Sequence, residues 1–320
     1  MSKRHTVFID GEAGTTGLQI AARLAGREDL EVAQIDPARR KDTDARRAAL
    51  NACDIAILCL PDDAAREAVA LVDNPSTRII DASTAHRTAA GWVYGFPEYA
   101  PSQRDTIRAA TRIANPGCYA IAAVAILRPL IAGGILPAAW PVSINGMSGY
   151  SGGGKALIAA FEDPASAGAT DAVAYDYALG LEHKHVPEIV RWGGLEHAPV
   201  FLPTVARYYK GMLVHVPLPL WALPDQPSPA RVRAAYADYY AGEAGIRVAA
   251  LDETARLAQL DPQACNDTND LCLHILQDTA GERAIVVAQL DNLGKGASGQ
   301  VVQTINILLG VAEATGLEAA

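Results

Sequence analysis

The run Ile113-Ala114-Asn115-Pro116-Gly117-Cys118-Tyr119-Ala120 places a cysteine where a short apolar strand turns into a helix, expected from about Cys118 to Leu127. The first turn of a helix presents unpaired N–H groups and a partial positive charge. A thiolate there is stabilised, and a pKa drop of about 1–2 units from roughly 8.5 would leave it largely ionised near neutrality. A cysteine in an Ala-rich chain is more often a small buried hydrophobe. The strand–Asn-Pro-Gly-Cys–helix setting argues instead for a reactive thiolate.

A partner for it stands in His183-Lys184-His185-Val186-Pro187-Glu188. Two residues apart on an extended backbone point to opposite sides, so one imidazole faces a given site. Pro187 in a helical first turn puts His185 near the N-cap, which leaves His183 to reach Cys118. Acid–base work outweighs metal binding, because no third ligand lies nearby. Arg87 and Arg207 are isolated arginines beside strand ends, which taken alone are more often surface residues.

A second kind of chemistry is written in Gly11-Glu12-Ala13-Gly14-Thr15-Thr16-Gly17, directly after an apolar strand and opening a helix. Glycines there let the backbone approach a pyrophosphate that the helix N-terminus attracts. Asp36, at the end of the second strand, could accept from a ribose hydroxyl and favour NAD. Arg39-Arg40-Lys41 follow at once and could hold a 2′-phosphate, favouring NADP. Gly149 to Lys155 nearly matches a phosphate-binding NTPase loop, but Ala156 stands where the Mg²⁺-holding hydroxyl belongs, so NTPase chemistry is not expected.

The elements that must position these residues divide into two kinds. Strands at His5–Asp10, 30–35, 55–60, Arg78–Asp81 and Arg112–Ala114 alternate with helices, two of them at about 14–24 and 62–72. Near-continuous apolar strands separated by helices predict a parallel sheet covered on both faces, a doubly wound α/β fold. Beyond Cys118, longer β-type stretches near 142–147, 212–216, 271–276 and 284–288 predict an α+β domain with a mixed sheet. Residues 217–229 are Pro-rich and precede a helix at about 229–240; residues 299–314 read as one amphipathic helix able to pack back on the first domain.

Composition bounds the rest. With 320 residues, 50% hydrophobic, two well-filled domains are expected. A net charge of −9 without a basic run points to neither nucleic acid nor an anionic membrane. Five scattered cysteines without a Cys-x-x-Cys pair fit a reducing cytoplasm, and no apolar h-region follows Lys3 and Arg4.

Taken together these segments resemble the N-acetyl-γ-glutamyl-phosphate reductase family of arginine biosynthesis, in its shorter bacterial form. The matching pieces are Gly11–Gly17, Asp81-Ala82-Ser83 with Arg87, Tyr94–Glu98, Asn115–Tyr119, Ser148–Gly152, His183–Glu188, Lys210-Gly211-Met212 and Asn292–Gln300. The resemblance implies a Rossmann-type NADP domain (1–117 and 293–320) and a catalytic domain (118–292) shared with aspartate-semialdehyde and glyceraldehyde-phosphate dehydrogenases. It implies Cys118 as nucleophile on an acyl phosphate and His183 as acid–base. NADP would meet Gly11, Gly14, Thr15, Thr16, Gly17, Arg39, Arg40, Ser148, Gly149, Asn292 and Gly294; the substrate would meet Arg87, His185 and Arg207. It further implies a homo-oligomer. The runners-up are an aspartate-semialdehyde dehydrogenase and a non-catalytic NADP sensor; Asn145-Gly146-Met147 and the His-x-His-x-Pro-Glu motif weigh against the former.

Overall fold

The computed structural model describes residues 4–317, so the outermost residues of the expected nucleotide domain, 1–3 and 318–320, lie outside the described residues. Two compact units emerge: Met1–Gly117 with Ala297–Ala320, and Cys118–Gly296. The chain passes back to the first unit after Gly296, four residues later than the expected boundary at 292. The intervening residues pack onto the second unit: Gly294 on Thr268 and Gly296 on Cys118.

The first unit runs β1 (His5–Asp10), α1 (Thr15–Leu24), β2 (Leu30–Ala33), α2 (Thr43–Ala52), β3 (Ile55–Leu58), α3 (Asp62–Ala70), β4 (Arg78–Asp81), β5 (Val93–Tyr94), α4 (Gln103–Ala109) and β6 (Arg112–Ala114). All six strands pair in parallel in the order β2-β1-β3-β4-β6-β5. Because successive side chains of a strand point to opposite faces, one strand feeds two cores. Val7, Ile9, Ile55, Ile57 and Ile80 enter one cluster, while Phe8, Ala56, Leu58 and Ile79 enter the other. The doubly wound α/β topology is therefore present, with three elements that periodicity did not disclose. β5 has only two residues, α2 buries Leu50 alone, and α4 is a short polar helix.

The helix Gly299–Leu309 belongs to this unit and completes the first cluster with Val301, Val302, Ile305 and Leu308. The sequence predicts an amphipathic helix to about Ala314, but the helix ends at Leu309 and is buried on every side from Gly299 to Leu308. Two of its polar side chains are satisfied internally: Gln303 donates to Glu98, and Asn306 donates to the carbonyls of Glu313 and Thr315, whereas the buried amide of Gln300 has no hydrogen-bond partner among the described residues.

The second unit begins with α5 (Cys118–Ala132) and continues β7 (Ser143–Gly149), α6 (Gly154–Glu162), β8 (Ala174–Asp176), α7 (Val186–Gly193), β9 (Val200–Ala206), β10 (Met212–Pro219), α8 (Pro229–Tyr239), β11 (Ile246–Val248), α9 (Leu251–Ala255), β12 (Leu271–Gln277) and β13 (Arg283–Leu290), before α10, the Gly299–Leu309 helix. Its sheet is mixed, in the order β11-β12-β13-β10-β7-β9-β8. Helix α5 carries Pro129 in its interior and buries eleven of its residues, so it forms the centre of the unit. On the other face of the sheet Met147, Val200 and Ile285 are exposed.

Candidate active site

In the first unit β1 ends at Asp10 and the chain turns at Gly11, whose φ is +90°. A side chain is excluded there, since a Cβ on Gly11 would stand 2.3 Å from the carbonyl oxygen of Cys59. A Cβ on Gly17 would stand 2.6 Å from the Gly11 carbonyl, so helix α1 lies directly against the loop. Gly14 is its N-cap, with no side-chain cap and no acidic residue in the first turn. The first-turn N–H groups, those of Thr15 and Thr16 included, thus meet the requirements for a phosphate.

Beside this loop lies a cavity of about 370 Å³, with Asp10, Gly11, Gln34, Arg40, Lys41 and Arg46 among its walls. Arg40 and Lys41 therefore stand where the sequence expected a phosphate-binding cluster, but Arg39 does not. Arg39 pairs with Asp42 at 3.3 Å on the surface. Asp36 accepts from the Ala38 N–H at 2.9 Å, capping a short 3₁₀ turn. Arg46, not foreseen, donates through Nε and Nη2 to Asp10 at 3.1 and 2.8 Å. Its helix was signalled by Asp42, an N-cap whose carboxylate accepts from the Ala45 N–H.

Farther along the same unit Arg87 is buried, and it donates to the carbonyls of Asn115 and Ala82, each at 3.0 Å. Asn115 also donates to the Ala297 carbonyl at 3.2 Å, and its own N–H is held by the Asp81 carbonyl. Arg87 thus braces the turn three residues upstream of Cys118.

In the second unit Cys118 is the first residue of α5 and is partly exposed. Gly296 lies against it. The next residue, Tyr119, turns its ring into a cluster with His183, His185 and Phe201, at centroid distances of 5.9, 6.1 and 5.3 Å. Gly146 makes room for that ring, because a Cβ there would come within 2.4 Å of it. Tyr119 donates from its hydroxyl to the Thr204 carbonyl. Burial, and then the negative charge of Tyr177 and Cys118, hold the Tyr119 phenol well above its usual range. Tyr177 is raised likewise, by burial first and by the Cys118 charge second.

The two histidines do not diverge as an extended backbone would make them. His185 is the N-cap of α7 with φ −86° and ψ −11°, so the chain has already turned helical, and the rings sit edge to face at 4.7 Å. His183 Nδ1 accepts from the His185 backbone N–H at 3.1 Å, and its Nε2 faces the Tyr177 hydroxyl at 3.5 Å. In neutral His183 the proton must therefore reside on Nε2.

Other residues expected at the ligands are engaged within the protein. Arg207 donates to the carbonyls of Ala172, Phe161 and Thr170, and its guanidinium lies 5.1 Å from the Phe161 ring. These donors hold the segment after α6. Asn292 is buried, accepting from Gly211 N–H at 2.7 Å and donating to Ser151 at 3.0 Å. Ser148 is buried, and Gly149 is locked by its N–H to the Gly211 carbonyl. A Cβ on Gly294 would stand 2.4 Å from the Thr268 carbonyl. Among the described residues no group of three or more His, Cys, Asp or Glu side chains could hold a metal ion. Nor is any helix of the described residues long and apolar enough to cross a membrane.

Comparison with known proteins agrees with this arrangement. Residues 118–292 match the family described as semialdehyde dehydrogenase, dimerisation domain, and residues 20–107 match semialdehyde dehydrogenase, NAD binding domain. The chain is 50% identical over 317 residues to the N-acetyl-gamma-glutamyl-phosphate reductase of Trichormus variabilis, covering 97% of this chain and 98% of that one. It is 50% identical over 309 residues to the enzyme of the same name from Burkholderia orbicola, with the same coverage. Aspartate semialdehyde dehydrogenase II of Vibrio cholerae, complexed with ASA, superposes with a TM-score of 0.69 at 16% identity, over 97% of this chain and 99% of that one. The Candida albicans aspartate semialdehyde dehydrogenase with NADP gives 0.64 at 14%, over 96% and 99%. At such identities the likeness is one of fold.

Proposed function

The chain belongs to the N-acetyl-gamma-glutamyl-phosphate reductase family, and from that membership we propose that it reduces N-acetyl-γ-glutamyl phosphate to N-acetylglutamate semialdehyde and phosphate through a thioester on Cys118. The observation that carries this reading is the placement of Cys118 at the first residue of α5, with Gly296 against it and the Tyr119–His183–His185 ring cluster beginning at the next residue.

Cys118 acts as a thiolate, favoured by the helix N-terminus. Its sulfur bonds to the acyl carbon while the carbon–oxygen bond to phosphate breaks. NADPH, when bound, supplies the hydride that takes the thioester to the aldehyde level. The resulting oxyanion re-forms its carbonyl and expels the Cys118 thiolate. The thiolate is regenerated, so no base is required along this course; the one proton consumed goes to the departing phosphate, and the site needs a donor to the oxyanion.

His183 suits that task. With Nδ1 engaged by the His185 N–H, it cannot take up the thiol proton without exchanging tautomers against that bond, but it can donate from Nε2. This revises the two-way acid–base role expected from sequence. His185 is proposed at the substrate. Arg87 is proposed as a brace of the Asn115–Cys118 turn, and Arg207 as a loop brace, rather than as substrate ligands.

The cofactor is NADP. The Gly11, Gly14 and Gly17 cradle would hold its pyrophosphate at Thr15 and Thr16, and Arg40 with Lys41 its 2′-phosphate. Ser148, Gly149, Asn292 and Gly294 would serve it through the fixed backbone they create. The first unit is proposed as the nucleotide-binding domain and the second as the catalytic one. A homo-oligomer in the cytoplasm, pairing through the sheet face that carries Met147, Val200 and Ile285, fits the family description and those exposed apolar side chains.

The reaction is tested in reverse. Protein supplied with N-acetylglutamate semialdehyde, inorganic phosphate and NADP⁺ should generate NADPH absorbance that depends on phosphate. Absence of phosphate-dependent reduction would refute the reading, and preference for aspartate semialdehyde would favour the related dehydrogenase activity.

A further inference from the structure

Two cysteines outside the site described above lie in contact: Cys265 and Cys272, with their sulfurs 3.7 Å apart and both side chains buried. Cys272 sits in β12 directly opposite Arg247 of β11, whose guanidinium charge acts on its sulfur. Cys265 lies in the turn between residues 261 and 268, whose Asp261, Gln263, Ala264 and Asp267 are exposed. Buried cysteines ordinarily serve as inert hydrophobes. A sulfur–sulfur contact with a cation on one partner, under a surface turn, is a different arrangement.

We propose that Cys265 and Cys272 form a peroxide-reactive dithiol, oxidised reversibly to an intramolecular disulfide. The Cys272 thiolate attacks the outer oxygen of a hydroperoxide, the O–O bond breaks, and a sulfenic acid forms with loss of an alcohol or water. The Cys265 sulfur then attacks that sulfenic sulfur and expels hydroxide, which leaves as water with the Cys265 proton. Two electrons pass from the two thiols to the peroxide, and two hydrogens leave the protein. The S–H of Cys265, and after it Arg247, hold the Cys272 thiol below its usual range against the opposing effect of burial, whereas burial raises Cys53 to about 11 and Cys59 to about 12. The pair is thereby set apart from the thiols of Cys53 and Cys59.

The turn so fastened is not idle. Asn266 donates to the Lys210 carbonyl at 3.0 Å, the Asp267 N–H donates to Asp291 at 2.9 Å, and the Thr268 carbonyl abuts Gly294. Oxidation would thus fix the turn against which the Asp291–Gly296 segment rests.

The test uses Cys118→Ser protein, so that the proposed nucleophile contributes no signal and the outcome is independent of the proposed reaction. After hydrogen peroxide, titration of the denatured chain should show loss of two of its four remaining thiols. Peptide mapping should join the Cys265 and Cys272 peptides within one chain, and dithiothreitol should restore both thiols. With Cys265→Ser added, Cys272 should instead be trapped as a sulfenic acid by a 1,3-dione reagent. Survival of both thiols under peroxide that oxidises exposed methionine, or joining of either cysteine to Cys53 or Cys59, would overturn the proposal.

Discussion

Gly296 lies so close to Cys118 that a methyl group on its α-carbon would stand 2.8 Å from the Cys118 Cβ. The Gly296 N–H donates to the Asp291 carbonyl, and Asp291 in turn accepts from the backbone N–H groups of Leu293 and Asp267. The thiol is thus seated against a backbone that is itself anchored. Neither atom in that contact is the end of a flexible side chain, so an added carbon must displace the cysteine, the loop or both.

Gly296→Ala should therefore lower kcat by on the order of 10²-fold, the cost of misplacing a reacting group by about 1 Å, while NADPH binding followed by fluorescence changes little. Unchanged kcat would mean that the loop yields without moving Cys118.

Cys118→Ser should abolish turnover and preserve the circular dichroism spectrum and NADPH binding, because an alcohol is barely ionised near neutral pH and forms no thioester. Substitution of Cys53, Cys59, Cys265 or Cys272 should cost stability at most. Turnover within tenfold of wild type in Cys118→Ser would exclude the covalent course.

The cavity beside the glycine loop separates the members of the basic cluster. Arg40→Ala and Lys41→Ala should each weaken NADPH binding by about ten- to a hundredfold, the worth of a charge-assisted hydrogen bond of roughly 1.5–3 kcal/mol. Arg39→Ala should have little effect, since its partner is Asp42 at the surface. NADH binding should be indifferent to all three. Titrations in which Arg39→Ala is the damaging change would reverse the assignment.

What the sequence disclosed follows from where its signals are local. Glycine spacing after an apolar run located the turn at Gly11, and strand-to-helix punctuation located Cys118, because both depend on a few adjacent residues. The Arg207 contacts did not: nothing beside Arg207 announces that the carbonyls of Phe161, Thr170 and Ala172 converge on it. Arg87 and Asn292 are similar cases, conspicuous side chains whose partners lie far along the chain. The histidines failed for a subtler reason. Alternation held only for extended backbone, and His185 had already adopted helical angles as the N-cap of α7.

That early turn shapes the last prediction. Because the His185 N–H occupies Nδ1 of His183, the ring offers a donor at Nε2 and no acceptor. Asparagine at position 183 is shorter and would withdraw the donor from the oxyanion, so His183→Asn should lower kcat by about 10²–10³-fold, typical for loss of one oxyanion donor. KM should change little, since the oxyanion exists only beyond the ground state. His183→Gln, whose amide nitrogen extends nearly as far as Nε2, should recover part of kcat; a base could not be rescued this way. His185→Asn should instead chiefly raise KM. The measurement is steady-state kinetics of the three variants, with NADPH binding as a control for folding. A His183→Gln enzyme no better than His183→Asn would remove the donor role, and a KM defect confined to His183→Asn would exchange the two histidines.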